Sequence, residues 1–218
     1  DRMAQQGRVV AVTGASGYIG TKLLQRLEQE PSIRKLVAFD LAPLPLPVHN
    51  ITVFPQNVSE PIEDELNDQS ATNLVHLAFN ARRGANRREV AEIHEENLKT
   101  LRSVMASCVS SRVIHLCYIN SHLVYGARVD NPLPLPDDAE MRPSHDFPYA
   151  HDKHHCELAL EEFARAQNDI KITVLRSCIV LGNGAHNLTT PNFFHPWMLW
   201  VAPYDPPLQF VSDTAVAT

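Results

Sequence analysis

The sequence predicts an α/β fold built on a doubly wound parallel sheet with helices on both faces. Short apolar, β-branched runs alternate with amphipathic segments of helical spacing, beginning with a strand at 8–12 and a helix at 18–28. A glycine-spaced turn at 13–20 joins these first two elements. Of the 218 residues, 44% are apolar and 20% are charged, which indicates a folded globular chain.

The later elements continue this alternation of strand and helix. We predict strands at 34–40, 51–54, 73–78, 112–119 and 171–176, helices at 61–68, 89–109 and 149–166, and proline-rich loops at 41–50 and 131–148. In sheets of this kind ligands bind beyond the carboxyl ends of the strands, where the strand order reverses. The turn at 13–20 follows such an end.

The glycine-spaced turn has the chemistry of a pyrophosphate site. Gly14 permits the sharp exit from the strand, Gly17 lets the backbone approach a phosphate, and Gly20 lets the helix lie close to the sheet. The N-terminus of the helix favours negative charge. An ordinary strand-to-helix turn is the alternative for this spacing alone. The predicted cofactor-binding residues here are Gly14, Ser16, Gly17, Tyr18, Ile19 and Gly20.

An acidic residue, Asp40, ends the second predicted strand, 20 residues past Gly20. At this interval a carboxylate accepts hydrogen bonds from an adenosine ribose and repels a 2'-phosphate, which favours NAD over NADP. A solvated acid at a strand end is the alternative. After the third strand, Asn57 and Val58 offer one polar and one apolar side chain that could flank an adenine.

A tyrosine and a lysine form the second candidate site. Tyr149 and Lys153 lie four residues apart in one predicted helix and therefore share a face. A nearby ammonium lowers the pKa of a phenol from about 10, so Tyr149 is a candidate general acid or base. Ser121 leaves the end of the fifth strand and could bond a substrate oxygen. A pair of surface neighbours without chemistry is the alternative.

Charge and composition argue against other classes of protein. The net charge of −6, without a long basic cluster, argues against binding nucleic acid or an acidic membrane. No apolar run approaches the roughly 20 residues of a membrane helix. The N-terminus lacks the apolar core of a signal peptide. The four cysteines are widely spaced, as in reduced proteins. These features together predict a cytoplasmic location.

Several histidines crowd the predicted catalytic helix. His151 and His155 have the i, i+4 spacing of a metal-binding pair. No cysteine or acid completes an obvious ligand set, and the Tyr149 and Lys153 pair already gives the helix a role. We therefore predict no metal site.

Taken in their order along the chain, the sequence motifs resemble those of the extended short-chain dehydrogenase/reductases, in the branch of NAD-dependent epimerases and dehydratases. The similarity runs from Val9 to about Gly182. It consists of the turn at 13–20, the acid at 40, His76-Leu77-Ala78, Asn97 in the long helix, Ser121 ahead of Val124-Tyr125-Gly126, Tyr149-x-x-x-Lys153 and Leu175-Arg176. The resemblance implies a Rossmann-type NAD-binding domain at 1–182 and a partial substrate-binding lobe with a returning strand at 183–218.

The resemblance also implies roles for individual residues. Tyr149 would transfer the proton, Lys153 would lower the pKa of the tyrosine and bind the cofactor ribose, and Ser121 would donate to the reacting oxygen. Leu77 and Ala78 would line the cofactor cleft. By the same resemblance, Asn97 would join its helix to a strand backbone, and two long helices would pair the subunits in a homodimer.

The implied substrate is a nucleotide sugar, which is epimerised or dehydrated through a transient keto intermediate. One alternative is an NAD-dependent reductase or dehydrogenase of a small carbonyl or hydroxyl compound. Another is a non-catalytic protein that senses NAD. In dehydratases of this family an acid pair follows the serine, where this chain has His122 and Leu123. The resemblance therefore favours epimerisation or reduction over 4,6-dehydration.

The chain departs from the family pattern at several positions. Asn120 replaces a serine before Ser121, and Asn57 replaces an aspartate near the adenine. The segment at 208–211 resembles a later family strand, but Ala215 stands where an acid often precedes Val-Ala. Extended members continue beyond the position of Thr218, so we expect a truncated lobe. The aromatic residues between 183 and 207 would begin that lobe and either pack in its core or contact substrate.

Overall fold

The computed structural model describes residues 7–45, 47–185 and 208–218. Its strands are β1 (Arg8–Thr13), β2 (Ile33–Phe39), β3 (Ile51–Phe54), β4 (Asn73–His76), β5 (His115–Ser121), β6 (Lys171–Ser177), β7 (Ile179–Leu181) and β8 (Phe210–Ser212). Its α-helices are α1 (Tyr18–Glu28), α2 (Glu63–Asp68), α3 (Arg87–Val109), α4 (Pro148–Ala166) and α5 (Asp213–Val216). A short 3-10 helix, His122–Tyr125, follows β5.

Strands β1 to β6 form one parallel sheet in the order β3-β2-β1-β4-β5-β6. The order reverses between β1 and β4, because the chain crosses from the outer strand β3 to the other side of β1. This topology confirms the predicted doubly wound α/β fold. Strands β7 and β8 pair in a separate parallel sheet.

Both faces of the sheet are buried, as its run of β-branched residues predicts. Alternate residues of β1 face opposite sides: Val9 and Ala11 join the core cluster under α2, α3 and α4, whereas Val10 and Val12 join the cluster under α1. Helices therefore cover both faces, which confirms that part of the prediction. The carboxyl ends of β1, β4 and β5 remain free to carry a site.

The observed boundaries differ from the predicted ones by a few residues, and local contacts explain two of the shifts. Helix α3 begins two residues before the predicted Glu89, because the Asn86 side chain caps it by accepting from Glu89 N at 3.0 Å. Ser121 lies inside β5 because it continues the ladder to Ser177 of β6. At the far end, β8 runs to Ser212 and starts after the predicted Leu208.

The predicted domain boundary at 182 falls between the two strands of the small sheet. Strand β7 precedes the boundary and β8 follows it. The division into 1–182 and 183–218 therefore stays a prediction, and the aromatic residues Phe193, Phe194, Trp197 and Trp200 lie outside the described residues. All four cysteines lie within the described residues and are free thiols. In the described parts of the chain, no helix combines the length and apolar character needed to cross a bilayer.

Buried His76 makes stability depend on pH. Burial, and secondarily the charge of Lys153, lowers the pKa of His76 from 6.5 to about 3. Between these two values the unfolded chain binds more protons than the folded one, so stability falls as the pH drops through this window, by up to about 1.4 kcal/mol per pH unit. Denaturant unfolding measured at several pH values should show this loss.

A His76→Gln variant should flatten that slope, although it should also be less stable at neutral pH because it changes a packed core. The control is His145→Gln, since the His145 side chain is 97% exposed; its slope should match that of the parent. Equal slopes in the parent and in His76→Gln would remove His76 as the cause.

Candidate cofactor and catalytic cleft

The turn at 13–20 brings the start of α1 against the end of β4. Gly14 has φ +67°, a conformation that suits glycine, and a β-carbon there would lie 2.6 Å from the backbone nitrogen of Ala78. A β-carbon on Gly20 would overlap the carbonyl oxygen of Gly14. The missing side chains at these two positions therefore let α1, the turn and the β4 end lie in contact.

Gly17 is different, because it is exposed and a β-carbon there would meet only one nearby atom. A β-carbon at Gly17 would meet the carbonyl oxygen of Gly14 at 3.2 Å and otherwise has room. Gly17 is also the N-cap of α1, and no side-chain bond caps this end of the helix. The first N–H groups of a helix have no partner within the helix and attract anions. The exposed backbone at Gly17 thus suits a phosphate.

Asp40 lies beside this turn, directly after β2. One carboxylate oxygen accepts from the backbone N–H of Ser16 at 3.0 Å, and the other accepts from that of Ala42 at 3.0 Å. Asp40 therefore ties the glycine turn to the end of the neighbouring strand. The structure brings Asp40 to the predicted place, and its bond to a cofactor ribose stays a prediction.

The two residues predicted to flank an adenine are placed differently. Val58 is buried in the hydrophobic core with 4% exposure. The Asn57 side chain accepts from the backbone N–H of Ser59 at 3.0 Å and so stabilises a local turn. Core packing accounts for Val58, and the proposed adenine contact stays a prediction for both residues.

Tyr18 of the turn bonds to a residue that the sequence motifs did not indicate. Its hydroxyl donates to Asp213 of α5 at 2.6 Å, and Lys22 lies 3.5 Å from the same carboxylate oxygen. Burial and this hydrogen bond raise the pKa of Tyr18 to about 12. The family pattern places an acid near Ala215 instead. The feature of the sequence that could have pointed to Asp213 is the Ser212-Asp213 pair, in which Ser212 caps α5.

A cleft of about 370 Å³ opens at the carboxyl ends of β4 and β5. Its lining combines the start of α1, the end of β4, the end of β5, the first turns of α4 and the segment around β7. The lining residues include Tyr18, Ile19, Leu77, Phe79, Asn120, Ser121, His122, Leu123, Tyr149, Lys153, Cys178 and Val216. The structure thus brings the three predicted catalytic residues to one cavity beside the glycine turn.

Within the cleft, Tyr149 and Ser121 interact. Burial raises the pKa of Tyr149 above its usual value, and hydrogen bonding with Ser121 partly opposes that rise. Ser121 is buried at 7% exposure, and its hydroxyl also accepts from Leu123 N at 3.3 Å. The tyrosine is therefore protonated at neutral pH in the protein alone.

Lys153 is buried next to them. Its ammonium donates to the carbonyl oxygen of Ile119 at 2.8 Å and to the hydroxyl of Tyr118 at 3.3 Å. Burial lowers the pKa of Lys153 to about 8, so it still carries most of its charge at pH 7. In this structure burial and Ser121 account for the shift of the Tyr149 pKa, so the predicted lowering of that pKa by Lys153 stays a prediction.

Phe79 is a cleft residue that the motifs did not single out. Its ring lies 5.5 Å from that of Tyr149 in an edge-to-face arrangement, and the Lys153 ammonium lies 3.9 Å from its centre. Phe79 therefore contacts both the tyrosine and the lysine, through an aromatic and a cation–π interaction. Phe79 could have been found in the sequence from its position directly after His76-Leu77-Ala78.

Asn97 and Asp152 connect α3, α4 and the segment after β4. The Asn97 amide accepts from Asn80 N at 2.8 Å and donates to Asn80 O at 3.1 Å, so it joins α3 to the backbone of the segment after β4. It also donates to Asp152 at 3.3 Å, and His94 lies 2.7 Å from the other carboxylate oxygen. These contacts agree with the structural role that the resemblance implied for Asn97.

The histidines of α4 do not form a metal centre in the described residues. The His155 ring contacts that of His94 on α3 edge-to-face at 5.0 Å and stacks with that of His154 at 5.9 Å. Burial and neighbouring histidines lower the pKa values of His154 and His155. Across the described chain, no three His, Cys, Asp or Glu side chains converge on a common point.

Comparison with known protein families gives a match over most of the chain. The sequence profile of the NAD dependent epimerase/dehydratase family matches residues 10–201. The chain belongs to this family. Its members use NAD, and binding of this cofactor at the turn at 13–20 and in the cleft beside it stays a prediction. Among curated protein sequences, none matches this chain.

Solved structures share the fold. A UDP-N-acetylglucosamine 4-epimerase from Methanobrevibacter ruminantium M1, in complex with UDP-N-acetylmuramic acid, matches with a TM-score of 0.79 and 22% identity, over 97% of this chain and 71% of that chain. The UDP-glucose 4-epimerase of Thermotoga maritima, with UDP-glucose, matches with a TM-score of 0.70 and 23% identity, over 80% of this chain and 56% of that one.

A third solved structure is somewhat more similar in sequence. MoeE5, in complex with UDP-glucose and NAD, matches with a TM-score of 0.67 and 28% identity, over 83% of this chain and 57% of that chain. This chain therefore spans 56% to 71% of the lengths of the three structures.

The residues present fit NAD. Gly17 leaves the start of α1 exposed, and no side chain caps this helix end. Asp40 lies at the adjoining strand end, bonded to Ser16 of the turn. A cleft holding Ser121 and Tyr149 continues from Ile19 of the same turn. The site thus combines an anion-binding helix end, a carboxylate and a cavity that holds the candidate catalytic residues.

Two glycine substitutions should separate binding from folding. Gly17→Ala should keep the fold and weaken NAD binding by roughly tenfold or more, about 1.4 kcal/mol, because its methyl group blocks the close approach of a phosphate. Gly20→Ala should destabilise the protein by roughly 1–3 kcal/mol, because its methyl group overlaps backbone. Calorimetric NAD titration and thermal unfolding measure the two effects. Equal NAD affinity in Gly17→Ala and the parent would place the phosphates elsewhere.

Proposed function

We propose that this protein is an NAD-dependent epimerase that acts on a nucleotide sugar through a transient keto intermediate. The observation that carries the proposal is the convergence of Ser121, Tyr149 and Lys153 in one cleft beside the turn at 13–20. Because the chain spans part of the length of the solved relatives, its substrate and activity are our proposals.

Ser121 and Tyr149 supply the acid-base chemistry. Both groups line the cleft, so a sugar hydroxyl between them can donate its proton to the phenolate of Tyr149 and accept a bond from Ser121. The hydroxyl carbon becomes a carbonyl as its hydride leaves. Tyr149 later returns the proton to the carbonyl oxygen when the hydride comes back. Return to the opposite face of the sugar ring produces the epimer.

The proposed role of Lys153 is to favour formation of the Tyr149 phenolate. Burial favours the protonated phenol, so a positive charge must offset it. Lys153 lies one turn further along α4, and its ammonium contacts Phe79, whose ring in turn contacts Tyr149. When bound, NAD supplies the hydride acceptor and adds positive charge on its nicotinamide. The pKa of Lys153, about 8, keeps the lysine charged at neutral pH.

The cleft lining favours epimerisation over dehydration. Elimination of water needs an additional acid and base near the sugar, and the described residues that line the cleft include no carboxylate. His122 occupies the position after the serine. Its Nδ1 lies 3.1 Å from the carbonyl oxygen of Ser177, and because a carbonyl only accepts, that nitrogen carries the hydrogen.

A Tyr149→Phe variant tests the proposed mechanism. Turnover of UDP-glucose or UDP-N-acetylglucosamine with added NAD should fall by roughly 100-fold or more, because the acid-base group is lost, whereas NAD affinity should stay within about threefold. Chromatographic detection of the epimer gives the rate, and calorimetry gives the affinity. Unchanged turnover would remove Tyr149 from the mechanism.

The same assay distinguishes the alternatives. An epimerase forms product with no net change in nicotinamide absorbance, because the hydride returns. Net formation of NADH with a small alcohol would favour a dehydrogenase. Binding of NAD without any turnover would favour a sensor.

We also propose that the protein pairs as a homodimer through α3 and α4, as the family resemblance implies. These helices already pack together through Asp152, which contacts His94 and Asn97. The surface of α4 carries a hydrophobic residue, Leu158, with 39% exposure. A single exposed apolar side chain is common on protein surfaces, so the resemblance carries this proposal and Leu158 is the position at which it is tested.

Sedimentation at micromolar concentration tests the dimer. Leu158→Arg should shift the protein to monomer, because a buried charge without a partner is costly. The matched control is Leu133→Arg, since Leu133 lies in the proline-rich loop at 77% exposure; it should remain a dimer. If the parent sediments as a monomer, or if both variants behave alike, this pairing is wrong.

A further inference from the structure

A buried polar network lies behind the catalytic cleft and joins β5, α4 and β6. Its members are Asn120 at the end of β5, Glu157 on α4 and Arg176 on β6. Asn120 and Glu157 are each 2% exposed. Buried polar groups are costly unless they are fully paired, so the contacts of this network define its geometry closely.

Asn120 makes three contacts with its side chain. Its oxygen accepts from the backbone N–H of Ser121 at 2.9 Å. Its amide nitrogen donates to the carbonyl oxygen of Lys153 at 3.3 Å and also to the carboxylate of Glu157. A carboxamide offers two donors and an acceptor, which match these three contacts. Asn120 therefore holds the backbone of Ser121 against the helix that carries Lys153.

Glu157 and Arg176 anchor the other side of the network. The Arg176 guanidinium donates to both carboxylate oxygens, with Nε at 2.9 and 3.1 Å and Nη2 forming the remaining ion-pair contact. Arg176 Nη1 donates to the hydroxyl of Tyr125 at 2.5 Å and to the carbonyl oxygen of Asp137. This bidentate pairing orients the glutamate, because a guanidinium fork admits little rotation.

The spacing along α4 links this network to the reactive groups. Tyr149, Lys153 and Glu157 follow one another at intervals of four and so lie along one stripe of the helix. The same asparagine reaches Glu157 on this stripe and Ser121 on the strand. A shift of about 1 Å between catalytic groups can cost about 100-fold in rate.

We propose that Asn120, Glu157 and Arg176 form a positioning unit that holds Ser121 at its working distance from Tyr149. The three residues act through Ser121 and α4 and need not touch the substrate. This inference rests on the proposed function for its rate measurements, and it has an independent measurement in the ionisation of Tyr149.

An Asn120→Leu variant is the first test, because leucine has a similar shape, carries no charge and removes all three hydrogen bonds. With NAD and UDP-glucose, we expect kcat to fall by roughly 10- to 100-fold and KM to change by less than about threefold. We also expect the pKa of Tyr149 to rise, because a displaced Ser121 no longer stabilises the phenolate. The phenolate absorbance of the variant, minus that of the same variant with Tyr149→Phe, isolates this pKa.

A charge-conserving swap provides a rescue test that does not depend on Asn120→Leu folding well. Asn120→Asp alone faces the Glu157 carboxylate with a second carboxylate and should be the more impaired. Adding Glu157→Gln places an amide opposite the new carboxylate and restores one hydrogen bond at the parent's total charge. We expect the double variant to recover kcat and the Tyr149 pKa toward those of the parent.

Ser107→Ala serves as the matched structural control. Ser107 is buried, accepts from Ile62 N at 3.0 Å and donates to Glu63 at 2.8 Å, far from the cleft. This variant should have a lower melting temperature and an unchanged kcat and Tyr149 pKa. If Asn120→Leu behaves like this control, or if the double variant is no better than Asn120→Asp, the positioning role is wrong.

The two readouts separate this inference from the proposed function. If no nucleotide sugar turns over but the Tyr149 pKa rises in Asn120→Leu and recovers in the swap, the positioning unit holds and the proposed substrate is wrong. If turnover is normal in the parent but neither kcat nor the Tyr149 pKa responds to these substitutions, the positioning unit is overturned and the proposed function stands.

Discussion

The close approach of backbone segments at the turn at 13–20 is the constraint on which the rest of the site depends. Gly14 and Gly20 leave no side chains between β1, the start of α1 and the end of β4. The helix N-terminus, the carboxylate of Asp40 and the edge of the catalytic cleft therefore lie side by side. A β-carbon at either glycine would push these parts apart, because it would overlap backbone atoms that cannot rotate away.

The second half of the site depends on how α4 is held against β5. Asp152 ties this helix to α3 on one side, and the contacts of Asn120 and Glu157 tie it to the sheet on the other. Tyr149 and Lys153 lie on the first turns of this helix, beside these attachments. A helix fixed at both faces can hold a phenol and an ammonium in a buried position, where burial opposes the phenolate and a neighbouring charge has a large effect.

The sequence predicted most of the fold, because its signals are local. Helix α1 and strand β3 have the predicted boundaries, and the parallel sheet follows from the alternation of strands and helices. The contact between Tyr18 and Asp213 was not predicted, because Asp213 is distant in sequence and no local pattern indicates the pairing. Val58 lies in the core because residues of β2, α2 and α3 join it in one hydrophobic cluster, which spacing alone does not reveal.

By itself, the sequence predicted the strand-turn-helix element, the position of Asp40 at a strand end, and Ser121, Tyr149 and Lys153 as candidate catalytic residues, because each depends on residue type and short spacing. The tertiary structure decided which groups meet. It placed Phe79 in contact with both Tyr149 and Lys153, joined Tyr18 to Asp213, and linked Asn120 to Arg176 through Glu157. These contacts join residues that are far apart along the chain, so they exist only once the sheet and its helices have packed.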